Sequence, residues 1–450
     1  MARFIPVDRD TVYLFPPSVQ EWLGKDHLAR FVVDTVEQLD LGALERAYAG
    51  RGSAAFHPSM LLGLLIYGYA TGVFLSRAIE RASYDSVAFR YVAANTHPDH
   101  DTINEFRKRF LTQIEPLFVQ VLLIARELGV LKLGHVALDG SKVHANASKH
   151  SALSWGHANK IEAQLQAEVA ELLRLAAQAE QADLPDGMSI PKELALREER
   201  LKAIAEAKQR IAERAGQRQG IEQAEYEAKC QAREAKRQAG KTPRGPEPQP
   251  PAAGPKDTDQ VNLTDPDSRI MKATGKGFEQ AYNAQAAVDT ATMLVVGHQL
   301  TQAPNDKQQL EPMIEQLEAL PEALGKVEGL AADTGYFSTH NVACCEAAQI
   351  TPYIATGKES HHPPLLARFC EPTPLPPEAD ALTRMQHRLT TQAGKAVYAQ
   401  RKSTVEPVFG IMKQVMGFRQ FSLRGLEMVK GEWALLCMAW NMKRMCVLAR

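Results

Sequence analysis

Long apolar runs are missing from this chain. No window offers about 18 uninterrupted apolar residues, so no single membrane-spanning helix is expected. The opening stretch MARFIPVDRD has no apolar core and does not read as a secretory signal. Cysteine is sparse: the six residues include no C-x-x-C pair and no zinc-finger spacing, and the neighbours Cys344 and Cys345 do not suit a disulfide framework. That usage fits a reducing cytosol. Charge of one sign is not in excess either, with 52 Lys and Arg against 53 Asp and Glu, so the total charge points to no acidic partner. What remains is an ordinary globular composition of 450 residues, enough for two or three domains.

Residues 1–130 read as helical. SMLLGLLIYGYATGV, from Ser59 to Val73, is apolar nearly all round and predicts a buried helix. Further on, Asp101 or Thr102 can cap a helix, with Glu105 three residues after Thr102 as in a capping box. Several short helices around the basic FRKRF (Phe106 to Phe110) fit either a helix-turn-helix DNA contact or a packing domain. At 131–149 the pattern turns to strand, ending in VALDGSKVHANAS. Residues 150–260 are rich in Ala, Glu, Gln, Lys and Arg at roughly 3.5-residue spacing, which predicts an inserted antiparallel helical hairpin with a proline-rich return. ADLPDGMSIP breaks it, and Pro191 suits a first helical position. From 261 to the end the order is hairpin, helix, strand, helix, strand, long helix, an α/β layer order with a mixed sheet. His361 and His362 lie in a polar loop without partner spacing, and no zinc site is read there.

Two acids share a context. Asp139 in LDGS and Asp333 in ADTG each close an apolar strand before a glycine-containing turn. The ligand crevice of an open α/β sheet lies outside such strand ends. Two aspartates gathered there repel each other unless a cation lies between them, and hard oxygen ligands suit Mg²⁺ or Mn²⁺. Glu406, in RKSTVEPVFGIMKQ, is the third acid needed for two ions, with Val405, Phe409 and Met412 facing the sheet. Pro407 disfavours helical geometry at the residue before it, which predicts Glu406 at a helix start or kink. The plainer reading of Asp139 and Asp333 is as turn formers or helix caps. Asp265, Asp267 and Asp289 compete for the metal role; TDPDS reads as a plain turn and Asp289 as part of a hairpin loop.

VALDGSKVHANAS, NLTDPDSRIM, YNAQAAVD, ADTGYFS and RKSTVEPVFGIMKQVMGFRQFSLRGL, in that order, together resemble the DDE transposases of bacterial insertion sequences. The resemblance implies a ribonuclease H-like catalytic core behind a helical N-terminal domain. It also implies a metal-binding catalytic triad of Asp139, Asp333 and Glu406 holding two Mg²⁺ or Mn²⁺ ions. Some relatives carry a Y-(2)-R-(3)-E-(6)-K signature on the last helix. Tyr398, Arg401, Glu406 and Lys413 match it except that the gap from Arg401 to Glu406 is one residue longer. From Lys395 on, ten basic residues face only Glu406, Glu427 and Glu432, a positive end suited to a polyanion. Within it Arg419 and Arg424 alternate with Phe418 and Phe421, suited either to phosphate contact with base stacking or to core and surface in turn. The expected partners are double-stranded DNA at terminal inverted repeats and target, and further copies of the chain. The expected activity is strand cleavage and joining in the cytoplasm, at the nucleoid. The rivals are a nuclease of the same fold, a non-catalytic DNA-binding derivative, and a scaffold built on the hairpin.

Overall fold

The computed structural model describes residues 18–48, 55–178, 189–240, 242–243, 245–272, 277–357 and 370–450. The N-terminal MARFIPVDRD, most of ADLPDGMSIP and the pair His361 and His362 lie outside them. Two compact units emerge: residues 1–146 with 271–450, and residues 147–270.

The first unit opens with eight helices: α1 (Val19–Trp22), α2 (Leu28–Val36), α3 (Gly42–Arg46), α4 (Pro58–Thr71), α5 (Ser76–Asp85), α6 (Val87–Val92), α7 (His100–Phe110) and α8 (Ile114–Glu127). Helix α4 is buried on every side from Leu61 to Ala70, as its all-apolar sequence requires. Each fully buried Leu there contributes roughly 1.5–3 kcal/mol. The cap of α7 is Asp99, whose side chain accepts from Thr102 N, and not Asp101 or Thr102. Pro98 precedes Asp99, and the extended backbone at Asp99 (φ −67°, ψ 161°) leaves its carboxylate facing the first free N–H groups. No single helix among the described residues is long and apolar enough to cross a membrane.

The sheet follows. Its strands are β1 (His135–His144), β4 (Arg269–Lys272), β5 (Phe278–Asp289), β6 (Val295–Thr301), β7 (Gly329–Ala332) and β8 (Thr351–Ile354), in the order β4-β5-β1-β7-β8, with β6 also paired to β5. The pairings β1–β5 and β5–β6 are antiparallel, while β1–β7 and β7–β8 are parallel. The result is a mixed sheet in a mixed α/β fold. The β5–β6 hairpin turns where Asp289 accepts from Thr292 N and Oγ1 at 2.8 and 2.6 Å, which fixes that acid as a turn former.

Helices α11 (Leu310–Glu318), α12 (Thr339–Ala347), α13 (Ala381–Thr390), α14 (Gln392–Gly410) and α15 (Leu426–Leu448) complete this unit. Ser338 caps α12 by accepting from Asn341 N. Helix α15 packs on β6, α4 and α8 and is buried along almost its whole length. Its Asn441 both accepts from Val295 N and donates to Val295 O at 2.8 Å, locking helix to sheet.

In the second unit, β2 (Ala152–Ser154) pairs antiparallel with β3 (Gln260–Asn262), and α9 (Trp155–Gln178) packs on α10 (Ile190–Gln238). The ion pairs Arg197–Glu168 and Lys208–Glu162 run in opposite chain directions, so the two helices are antiparallel. Leu153, Ala158, Leu165, Ile204, Ala207, Ile211 and Val261 form the core of this unit. Pro191 stands in the first turn of α10. Arg218 grips Asp259 through two hydrogen bonds of 2.7 and 2.9 Å, anchoring the return segment. Asp265 and Asp267 belong to the turn that follows β3, where Ser268 N donates to Asp265 O.

Candidate active site

Asp139 is not at a strand end. Strand β1 runs on through Gly140 to His144, because β5 is long enough to pair with it throughout, Asp139 opposite Ala286 and Gly140 opposite Gln285. What stops at this level is the other neighbour. The parallel register closes at Leu138 opposite Ala332, so Asp139 and Asp333 are the next residues on adjacent strands just where β7 leaves the sheet. The glycine after Asp139 answers to crowding and not to a turn. A Cβ at Gly140 would stand 2.2 Å from Gln285 Nε2 and 2.7 Å from Asp306 Oδ1. Asp333 does open a turn: it caps a short 3₁₀ segment (Thr334–Tyr336), with Gly335 N donating to its Oδ1 at 2.8 Å.

Glu406 comes to the same place on α14, which packs against β1, β5 and β7. Val405, Phe409 and Met412 are buried, as their spacing requires. Glu406 is nevertheless inside a helix, not at its start: α14 continues through Pro407 to Gly410 and passes into a π-helical turn, Ile411–Val415. Pro407 lacks only the N–H that would reach back to Ser403, and packing of Thr404, Val405 and Val408 in the core holds the helix despite that loss. The irregularity appears one turn later as the π segment, a common companion of functional sites.

Arg401 joins the acids. Its Nη1 lies 3.3 Å from Asp139 Oδ2 and its Nη2 2.9 Å from Glu406 Oε1, while its side chain is only 11 % exposed. Burial, aided by Asp333 and Glu406 and against the pull of the Gly140 N–H and of Arg401, pushes the Asp139 carboxyl up to about 6. Among the described residues, the carboxylates of Asp139, Asp333 and Glu406 are not drawn together as closely as the donor atoms of Glu311, His340 and Cys344, which all lie within 4.8 Å. A cation, the guanidinium, already stands between two of the three acids.

Around them runs a network that the sequence did not announce. Asp306 Oδ1 accepts from Asn283 at 2.6 Å, from Gln285 at 2.7 Å and from Lys142 at 3.4 Å. Tyr336 OH donates to Gln285 Oε1. Asn283 and Gln285 are fully buried. Two amides on one face of the mostly small and apolar middle of β5 were the available signal, since buried polar groups need partners. Asp306, in the loop APNDKQQ, gave none.

The basic residues divide. Lys413 Nζ donates to Ser141 Oγ and Lys142 O at 2.5 and 2.8 Å, and burial lowers its pKa. Lys142, His144, Glu279, Lys413, Gln414 and Arg419 line most of a groove of about 230 Å³ beside Asp139's strand. Arg419 donates to Gln414 Oε1 at 2.6 Å, and Arg424 to Asn146 O at 3.0 Å, both on the exposed side. Tyr398, half-buried, is near enough to Arg401 to act on its charge. Other members of the positive tail serve packing: Lys443 donates to Ala70 O and Arg444 to Thr292 O, both at 2.8 Å. Phe418 and Phe421 are 1 % and 2 % exposed and pack with Tyr69, Phe74 and Tyr282, so they are core and do not stack on bases. In FRKRF, Arg107 is buried against Tyr69 OH and Phe74 O, and Arg109 lies over the Tyr48 ring.

A family model described as Transposase DDE domain matches residues 374–446, the segment with Tyr398, Arg401, Glu406, Lys413, Arg419 and Arg424. A second, Transposase domain (DUF772), matches residues 17–109. No curated protein and no solved structure matches the chain. The two family matches support a DDE transposase of an insertion sequence.

Proposed function

We propose that this DDE transposase cuts the ends of its own element and joins the resulting 3′-hydroxyls to target DNA, using Asp139, Asp333 and Glu406 as the reaction centre. The observation that carries the reading is the meeting of Asp139 and Glu406 on one largely covered arginine, with Asp333 next to Asp139 at the point where β7 parts from β1. Three antiparallel strands continued by two parallel ones, with acids at the parting, support a ribonuclease H-like description of the sheet.

The donor set fits a hard divalent cation. Three carboxylates offer only oxygen, and burial, with the neighbouring acids, raises the Asp139 carboxyl to about 6. Bound there, two Mg²⁺ or Mn²⁺ ions would supply Lewis-acid activation of the attacking oxygen and charge neutralisation at the leaving one. The chain's own residues do the rest. The Arg401 guanidinium bridges Asp139 and Glu406 and orients both carboxylates. Asp306, Asn283, Gln285 and Tyr336 fix the floor from which Asp139 and Asp333 rise. The groove with Lys142, Lys413 and Arg419 seats the phosphodiester backbone next to the acids, where cations raise the local concentration of a polyanion. A dimer or larger assembly on paired ends follows from the need to cut two ends together.

Supplying ends already cut to free 3′-hydroxyls tests the joining step. With Mg²⁺ and target DNA, covalently joined product is expected. Cleavage of uncut ends with no joined product from pre-cut ones would make the protein a nuclease of the same fold instead.

A further inference from the structure

A second group of metal-type ligands stands apart from the acids. Glu311 lies in the first turn of α11; His340 and Cys344 lie one turn apart on α12, where i, i+4 residues share a face. His340 Nε2 is 3.0 Å from Glu311 Oε2 and 3.4 Å from Cys344 Sγ, and the three donor atoms all lie within 4.8 Å of one another. We propose that Glu311, His340 and Cys344 bind a borderline divalent cation of the Zn²⁺ class.

The spacing suits it. Zinc takes sulfur at about 2.3 Å and nitrogen or oxygen at about 2.0–2.2 Å, so tetrahedral ligands are roughly 3.3–3.7 Å apart. The contacts from His340 to Glu311 and to Cys344 need move only a few tenths of an ångström. A thiolate in the set favours zinc-like ions over Mg²⁺ or Ca²⁺, so this site selects a different metal from the oxygen-only acids. Glu311 and His340 are exposed, with 52 % and 65 % of their side chains accessible, so an ion can enter without opening the fold. Three protein ligands leave a fourth position to water or to an incoming group.

The consequence for the fold is a clip. Asn341, beside His340, donates to Lys307 O at 2.8 Å and to Tyr336 O at 2.6 Å. An ion joining α11 to α12 thus fastens the two segments that carry Asp306 and Tyr336, behind Asp333. The site stands independently of the reading of the reaction centre.

Co²⁺ is the probe. Titrated into the metal-free full chain, it should give a near-ultraviolet thiolate-to-cobalt band that saturates at one equivalent. Zn²⁺ should displace the band. It should vanish in Cys344→Ser, weaken at least tenfold in apparent affinity in His340→Ala, and persist in Asp139→Ala with Asp333→Ala, whose carboxylates give no such band. His340→Ala alters an exposed side chain, so it serves if Cys344→Ser does not fold. No band in the wild type, a band that survives Cys344→Ser at full strength, or unchanged affinity in His340→Ala overturns the proposal.

Discussion

At the scale of single residues, Asp139 is the most informative. Its carboxyl is buried beside two other acids, and one arginine does not fully compensate it. The native state therefore binds this proton more tightly than the unfolded chain, whose aspartate titrates near 4. Native stability falls as pH rises from about 4 through about 6 and stays lower above that. Asp139→Asn removes the cost. The variant should be more stable than wild type at pH 7–8 by about 1–3 kcal/mol, with the gain gone below pH 4, as urea unfolding across pH would measure. Equal stability of the two proteins at pH 8 would contradict the account. The same residue explains part of what the sequence hid. LDGS reads as strand then turn because glycine most often signals a turn. Here the glycine makes room for Gln285 and Asp306, which come from loops and strands more than 140 residues away. No local pattern encodes that crowding.

At the scale of elements, the apolar segments were plain and the polar ones were not. Helix α4, the β5–β6 hairpin and the inward face of α14 follow from periodicity and turn signals. The run of Glu406 and Pro407 did not, because local backbone preference lost to the packing of Val405, Val408 and Phe409. The GFRQFSLRGL loop was ambiguous for a similar reason. Its phenylalanines are core, and the loop is held from below by Glu432, a fully buried acid on α15. Glu432 accepts from Tyr69 OH at 2.8 Å, from Ser422 N at 3.0 and 3.1 Å and from Leu423 N at 3.0 Å. Without it, the Tyr69 hydroxyl and two backbone N–H groups would lose their acceptor. Glu432→Leu should cost about 3 kcal/mol or more, read as a lower urea midpoint. A loss under about 1 kcal/mol would mean the loop is held by its phenylalanines alone.

At the scale of the whole molecule, the order of elements was legible and the gathering of charge was only half so. Alternating strand and helix signals indicate a mixed α/β fold, and the inner helices announce themselves by composition. The positive C-terminal end reads as one surface in the sequence, yet it divides in the fold. Lys413 and Arg419 edge the groove, Arg424 bonds Asn146 O on the exposed side, Arg401 turns inward to the acids, and Lys443 and Arg444 hold helices to their neighbours. Linear charge counts cannot separate these, because helical rotation sends successive basic residues to different faces. The same folding gathers Asp139, Asp333 and Glu406 from across 267 residues of chain, though the family matches cover only Glu406.

Cleavage of DNA carrying both ends of the element, with Mg²⁺, in Asp139→Ala, Asp333→Ala and Glu406→Ala bears most directly on the reaction centre. Each variant should lose strand cleavage by more than about 100-fold, beyond the usual size of an outer-shell change, while retaining end binding in gel shift. Wild-type cleavage in any one of the three would remove that acid from the centre and, with it, the chemistry assigned to the parting of β1 and β7.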